Sequence, residues 1–301
     1  SYGYNGQVLA DKYPNEDTMS PAFLYGTLGG MQNADGSYYM DFASDESWGA
    51  RYDKNTLVAT PLYYDQTSSQ YGKAKPFVHG LDLADLFQTG VANTTNVSFA
   101  KSGKDYSSRI SFTNSQRDGI QQNSEAVRRF LAVKTAFKPA DWMNVSLDYK
   151  YTYRFNHNGA QEGYGGSRNV MHEYLQWGQT QVDLKDYKDY LRPWNVKSPT
   201  NFAANFHDNP YALFDKANVN STYRWNVFTG NVQFLLPYNL KAGVNVIGNM
   251  RAHESESKYA DGSINFSSYF YTEQGHVSDL TVQGSLTWND RFIDDRLSVD
   301  A

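Results

Sequence analysis

The chain has 301 residues, carries 27 Lys and Arg against 32 Asp and Glu for a formal net charge of −5, and contains no cysteine. The missing thiols exclude a disulfide framework, Cys-ligated zinc or iron–sulfur sites and thiol catalysis, and the mild acidity argues against nucleic acid, whose binders need a basic face. Mean hydropathy is −0.66 and no run approaches the ~18 apolar residues of a membrane helix. Aromatic residues nevertheless reach 16 %, a composition that suits a β protein with one wet and one greasy face.

The chain opens at Ser1 without a Met, a basic segment or an apolar segment, so no targeting signal is read and a mature chain or an internal piece is expected. Residues 1–92 read as an irregular, loop-rich segment, punctuated by Gly26, Gly29-Gly30, Asp35-Gly36, Pro61 and Pro76. From residue 93 to 301 the chain reads as antiparallel strands. Val97 and Phe99 alternate with Ser98. Tyr106, Ser108, Ile110 and Phe112 share one parity, and Ser107, Arg109, Ser111 and Thr113 the other. Met143, Val145, Leu147, Tyr149, Tyr151, Tyr153 and Phe155 alternate strictly with Asn144, Ser146, Asp148, Lys150, Thr152 and Arg154. Such a strict period of two puts one apolar face against one polar face. The pattern returns in Leu240, Ala242, Val244, Val246, Gly248 and Met250, and in Leu280, Val282, Gly284, Leu286 and Trp288.

These runs are roughly 10–13 residues long, which exceeds the ~5–6 of ordinary strands and fits the ~9–11 that tilt across a bilayer. Short connections near 102–105, 138–141 and 237–239 alternate with longer ones, 156–221 and 253–276 the longest. Outer-membrane barrels have short periplasmic turns and long extracellular loops, so both long segments are expected outside the cell. The strands near 93–101, 126–137, 222–236 and 277–288 would then descend, and 106–115, 143–155, 240–252 and 297 onward would ascend. The fold class expected is all-β: an antiparallel transmembrane β-barrel segment of about eight strands. A soluble β-sandwich with one solvated face is the competing reading.

No catalytic constellation emerges, so no enzyme is expected. The histidines (His79, His157, His172, His207, His253 and His276) form no metal-ligand spacing, no GxSxG elbow is present, and neither metal nor cofactor is expected. The segment 156–221 is the best candidate for binding. Its Trp177, Tyr187, Tyr190, Trp194 and Tyr211 stand among Asp183, Lys185, Asp186, Lys188 and Asp189. Rings can stack on the apolar patches of a sugar or peptide while the acids accept hydrogen bonds. The alternative is that the same rings pack the loop onto the barrel rim or against a partner protein. Val182, Leu184, Tyr187 and Leu191 lie near helical spacing and predict a short surface helix. Tyr149, Tyr151 and Tyr153 read as lipid-facing or girdle residues.

Four stretches carry a family resemblance. Asp45-Glu46-Ser47-Trp48-Gly49, followed by Ala50-Arg51-Tyr52-Asp53, resembles an SWGP-type stretch, departing at Ala50, where Pro is frequent, and at Asn55, near where a Gly is usual. Leu86-Phe87-Gln88-Thr89-Gly90 resembles an FFxTG segment before a barrel strand. Asn96-Val97-Ser98-Phe99, the run from Tyr106 to Phe112, Asp118-Gly119-Ile120 and Asn123-Ser124 follow a hairpin and the loop after it. The stretch from Trp177 to Leu191 and Asn209-Pro210-Tyr211 resemble a long extracellular insertion. In order and spacing, over residues 20–300, these resemble the SusC-like (RagA-like) TonB-dependent outer-membrane transporters of the Bacteroidota.

The resemblance implies a multi-pass protein of the bacterial outer membrane, a segment of a barrel of about 22 strands around an internal plug. It implies import of an oligosaccharide or peptide with a SusD-like surface lipoprotein as partner, and energy from the TonB complex through a plug and TonB box not recognised in these residues. It gives Asp45–Gly49 no role beyond structure. Two other functions stay open: a soluble β-rich glycan-binding or carbohydrate-active protein, and a SusC-like barrel serving as a structural member of a larger surface complex.

Overall fold

The computed structural model describes residues 32–39, 52–80, 82–159, 161, 169–172, 181–188, 208–259, 263, 267–292 and 297–300. Three short strands come first: β1 (Tyr38–Tyr39), β2 (Asp53–Ala59) and β3 (Lys75–Phe77). They form a small sheet, β1 parallel to β2 and β2 antiparallel to β3, with Val58 and Phe77 buried and the Tyr52 ring edge-on to Phe77 at 5.1 Å. Within residues 1–92, read from sequence as irregular, this sheet was missed. Its strands run two to seven residues, too short for a period of two to register.

Eight further strands follow: β4 (Val91–Ser102), β5 (Tyr106–Asp118), β6 (Glu125–Ala140), β7 (Met143–His157), β8 (Ala217–Leu235), β9 (Leu240–Tyr259), β10 (Tyr269–Phe292) and β11 (Leu297–Asp300). They lie side by side in chain order in one sheet, each antiparallel to the next. Among the described residues, β4 and β11 each pair on one side only, so the sheet is not closed. Among the described residues no second sheet is stacked upon it. The architecture is a segment of antiparallel β-barrel wall.

Register carries the sequence alternation across the sheet. Ile110 lies opposite Val133, Val133 opposite Tyr149, Tyr149 opposite Phe228, Phe228 opposite Gly248 and Gly248 opposite Leu280. One residue along, the parallel row is Ser111, Ala132, Lys150, Val227, Asn249 and Asp279. One face is thus an apolar band and the other is polar and charged. On β9 the band runs from Leu240 to Met250, roughly 34 Å along the strand, which at a tilt of about 40° stands roughly 26 Å tall. Its side chains are bare: Leu280, Val282 and Leu286 are 65 %, 63 % and 67 % exposed. Trp142 and Tyr238 stand at the short-turn end, Trp142 stacked on Phe234 at 6.1 Å. Tyr238 and Asn239 turn the chain between β8 and β9 with consecutive φ of 63° and 58°, a left-handed conformation that Asn tolerates better than Tyr.

Two strand limits differ from the sequence reading. The segment expected as a loop at 253–276 is mostly strand: pairing continues from His253 opposite Gly275 to Tyr259 opposite Tyr269, leaving 260–268 as the connection. The loop expected at 156–221 shrinks to 158–216, because His157 still pairs with Asn220. In 253–259 the cause is plain. Beyond the apolar band both faces are polar, as in Glu254, Ser255, Glu256, Ser257 and Lys258, so the alternation vanishes while the hydrogen-bond ladder goes on.

Gly248 is required where it stands. A Cβ there would sit 2.1 Å from the Phe228 ring, which covers the glycine from the neighbouring strand. Gly248→Ala is expected to push the ring off and cost about 1 kcal/mol, read as a lower unfolding temperature. Phe228→Leu in the same chain should recover most of it.

Candidate functional site

The long-loop end of the wall carries a packed rim. Leu62 and Leu86 from the segment before β4 meet Val170, Val182, Leu184, Tyr187, Tyr211, Leu213 and Phe214 from the long connection, and Ala217 and Tyr259 from strand ends. The local sequence explains each piece. Asp82 and Asp183 each accept a backbone N–H at the start of a single 3₁₀ turn, Leu83–Leu86 and Leu184–Tyr187. Asn209 caps the helix Pro210–Lys216, accepting from the N–H of Tyr211 at 2.9 Å, and Pro210 sits where its missing N–H is harmless.

Polar side chains lock the two segments together. The Asn209 amide donates to the Tyr187 carbonyl at 2.9 Å. Lys185 pairs with Asp85 at 3.0 Å, and the Asp85 carboxylate holds the amine above its ordinary pKa. Asp186 receives Lys75 and Gln70. Asn158, fully buried at φ 47°, receives the Val219 N–H at 2.8 Å and donates to Asn218 at 2.8 Å. Asn123, at φ 56°, donates to the Phe214 carbonyl at 2.9 Å.

Two of the aromatic contact candidates lie in this rim. Tyr187 and Tyr211 are 2 % and 6 % exposed, so their rings pack into the core of the rim. Burial pushes the Tyr187 phenol well up and that of Tyr211 up to about 12. Trp177, Tyr190 and Trp194 lie outside the described residues, as do Asp45, Glu46, Ser47, Trp48 and Gly49. The charges interleaved with the rings act as tethers. Asp183 caps a turn, Lys185 and Asp186 make ion pairs, and the Lys188 ammonium stands 5.9 Å over the Tyr211 ring. The helix expected over 182–191 is, within the described residues, the one 3₁₀ turn Leu184–Tyr187. Sequence reasoning missed these asparagines. Asn209-Pro210 could have been found, because an Asn before a Pro is a helix start signal, whereas Asn158 and Asn123 bond chiefly to groups distant in sequence.

Below the rim, beside β4–β7, opens a cleft of about 490 Å³ lined by Gly90, Arg117, Gln121, Ser124, Asn156 and His157 among others. The polar face continues from it toward the short turns. On β8–β10 its groups satisfy one another: the Trp225 indole donates to Asn249 at 2.6 Å, Asn249 reaches Asp279 at 3.5 Å, and the Arg251 guanidinium lies 5.7 Å over the Trp225 ring. Tyr223 stacks on His253 at 4.3 Å. Among the described residues no group of three or more His, Cys, Asp or Glu converges as a metal site would require.

A barrel wall with one bare apolar face, one charged face and a packed rim is the class that the fold defines. The fold is shared with solved structures. The RagAB peptide transporter matches with a TM-score of 0.55 and 15 % identity over 77 % of this chain and 26 % of that one. The RagAB peptide importer in its closed-closed state matches with a TM-score of 0.53 and 12 % identity over the same shares. The chain therefore spans about a quarter of the proteins it matches. No protein-family model and no curated protein matches it.

Proposed function

We propose that the chain is part of a SusC-like, TonB-dependent importer in the bacterial outer membrane. The observation that carries this reading is the uncovered apolar band, backed across the same strands by a charged face. A single-layer sheet gains nothing in water from such a band, because a bare apolar patch of this extent marks an interface or a membrane surface. Against hydrocarbon the band is solvated, and the other face lines water. A soluble glycan-binding sandwich would need a second layer on the band, and the sheet has none among the described residues.

In this reading the long-loop end is extracellular, and the rim is the seat of a SusD-like lipoprotein. The cargo is a peptide or oligosaccharide that passes along the charged face. The barrel has about 22 strands around a plug that the TonB complex pulls, and no bond in the cargo is broken. The shared fold with the RagAB peptide transporter supports the choice of importer. The test is fractionation and uptake in cells making the full-length protein. It should stay with the outer membrane through a high-salt wash, and accumulation of a labelled peptide or oligosaccharide mixture should stop when TonB is deleted. Recovery as a soluble protein, or TonB-independent accumulation, overturns the reading.

A further inference from the structure

We infer that the cargo of this wall is anionic, specifically a carboxylate-bearing peptide held extended along β5–β7. The inference rests on the reading above that the polar face lines an import channel. The whole chain carries a net charge of −5, yet this face has the opposite sign. Arg109 and Arg117 on β5, Arg128 and Lys134 on β6, and Lys150 and Arg154 on β7 share the polar parity, all exposed. The only acid of that parity on the three strands is Asp148, 3.7 Å from Lys150. Over the paired stretch of β9 and β10, Lys241 and Arg251 are balanced by Glu273 and Asp279, so the larger excess is on β5–β7.

The cations are placed in a way that folding does not favour. Arg128 lies directly opposite Arg154, and Arg109 directly opposite Lys134, which on its other side lies opposite Asp148, so the like-charge placement is cleanest at Arg128 and Arg154. Like charges directly opposed on one face of a sheet are destabilising. None of these four has a carboxylate within ion-pair distance among the described residues, in contrast to Lys150 and to the rim lysines. Each opposed pair offers two cationic groups to one outside anion, and the Arg128–Arg154 pair offers two guanidinium forks, which match the carboxylate shape.

Spacing selects an extended occupant. Arg128 and Lys134 are six residues apart on one strand, roughly 20 Å. The Arg128–Arg154 pair is near the long-loop end and the Arg109–Lys134 pair near the short turns, with Lys150 between them. An extended peptide advances ~3.3–3.6 Å per residue, so two carboxylates about six residues apart meet both pairs at once. Arg117 borders the cleft at the rim, where such a peptide would enter.

The test uses the full-length protein in detergent and a dye-labelled decapeptide alternating Glu and Gly, beside its twin with Gln for Glu. The acidic peptide should bind about tenfold more tightly than the twin in about 0.05 M salt, the gap closing near 0.5 M as charges are screened. Arg128→Gln with Arg154→Gln should weaken the acidic peptide about tenfold and leave the twin unchanged. Arg109→Gln with Lys134→Gln should act likewise, so the result does not depend on one pair of variants folding. Equal binding of the two peptides overturns the inference, as does tighter binding of a uronic-acid oligosaccharide. So does a loss of thermal stability with no change in preference, because the cations then seat another part of the chain. Uptake of a neutral oligosaccharide with neither peptide bound sinks the anionic cargo and leaves the importer standing. Absence from the outer membrane sinks the importer itself.

Discussion

Leu147→Arg is expected to cost about 2–4 kcal/mol, whereas Ser146→Arg, one residue away, should cost almost nothing. Leu147 lies mid-band, opposite Thr135 and Gly230 and in one row with Val246 and Val282. With the band in lipid, as proposed, a guanidinium there would meet the hydrocarbon midplane, too far from either interface for the side chain to reach water. Ser146 is opposite Asn231, in a row with Asn245 and Gln283 whose amides bond at 3.2 Å. An added cation on that face meets water. The comparison is nearly free of backbone effects, because both positions lie inside one regular ladder. It is read as the unfolding temperature and as the amount of folded protein recovered from outer membrane. The opposite ranking, with Ser146→Arg the more damaging, would reverse the assignment of the two faces and remove the importer reading.

The wall was legible in sequence wherever its two faces differ in polarity. The runs from Met143 to Phe155 and from Leu240 to Met250 alternate between an apolar and a polar face, and register then joins them without a break. Legibility ends where the two faces become alike. The stretch 253–259 is as fully paired as 240–252, but with Glu254 and Ser255 on opposite faces nothing in the side chains marks it as strand. The small sheet β1–β3 was illegible for another reason. It is stabilised by contacts across long sequence separations, such as Val58 on Phe77 with Tyr38 against them, and its strands are too short to set up a pattern.

The rim was half legible. The mixture of rings and charges in 181–188 marked a segment of interest, and packing stood beside ligand contact as its meaning. Tyr187 is buried by chain distant in sequence: Leu62 and Leu86 pack with it, and Lys75 and Asp85 pair with Asp186 and Lys185 just before it. The cations of β5–β7 were visible as polar-parity residues, but their opposition in pairs is a property of register alone. Arg128 and Arg154 face each other only because the turn at Asp141 and Trp142, with an irregularity between Phe137 and Ala140, sets the pairing of β6 with β7.

Tyr187→Ala is expected to cost about 3–5 kcal/mol, the usual loss for a large ring removed from a packed core, and the loss should stay within the rim. The ring is 2 % exposed among Leu62, Leu86, Leu184 and Tyr211, so little can collapse into the space it leaves. The barrel wall does not share the loss, because its ladders run from strand to strand and the rim hangs from their ends. Local opening of the rim should therefore separate from unfolding of the wall. Limited proteolysis reads this directly: cleavage within 181–216 should accelerate while β4–β10 stay resistant. Tyr211→Phe is the matching control. The Tyr211 hydroxyl is buried without a hydrogen-bond partner among the described residues, and a buried unsatisfied group costs about 1–3 kcal/mol, so its removal should be neutral or mildly stabilising. If Tyr187→Ala leaves proteolysis unchanged and weakens cargo binding, the ring serves as a contact residue after all. Packing predicts the reverse, because Tyr187 supports the segment that carries Lys185 and Asp186 and touches no solvent from which a cargo could arrive.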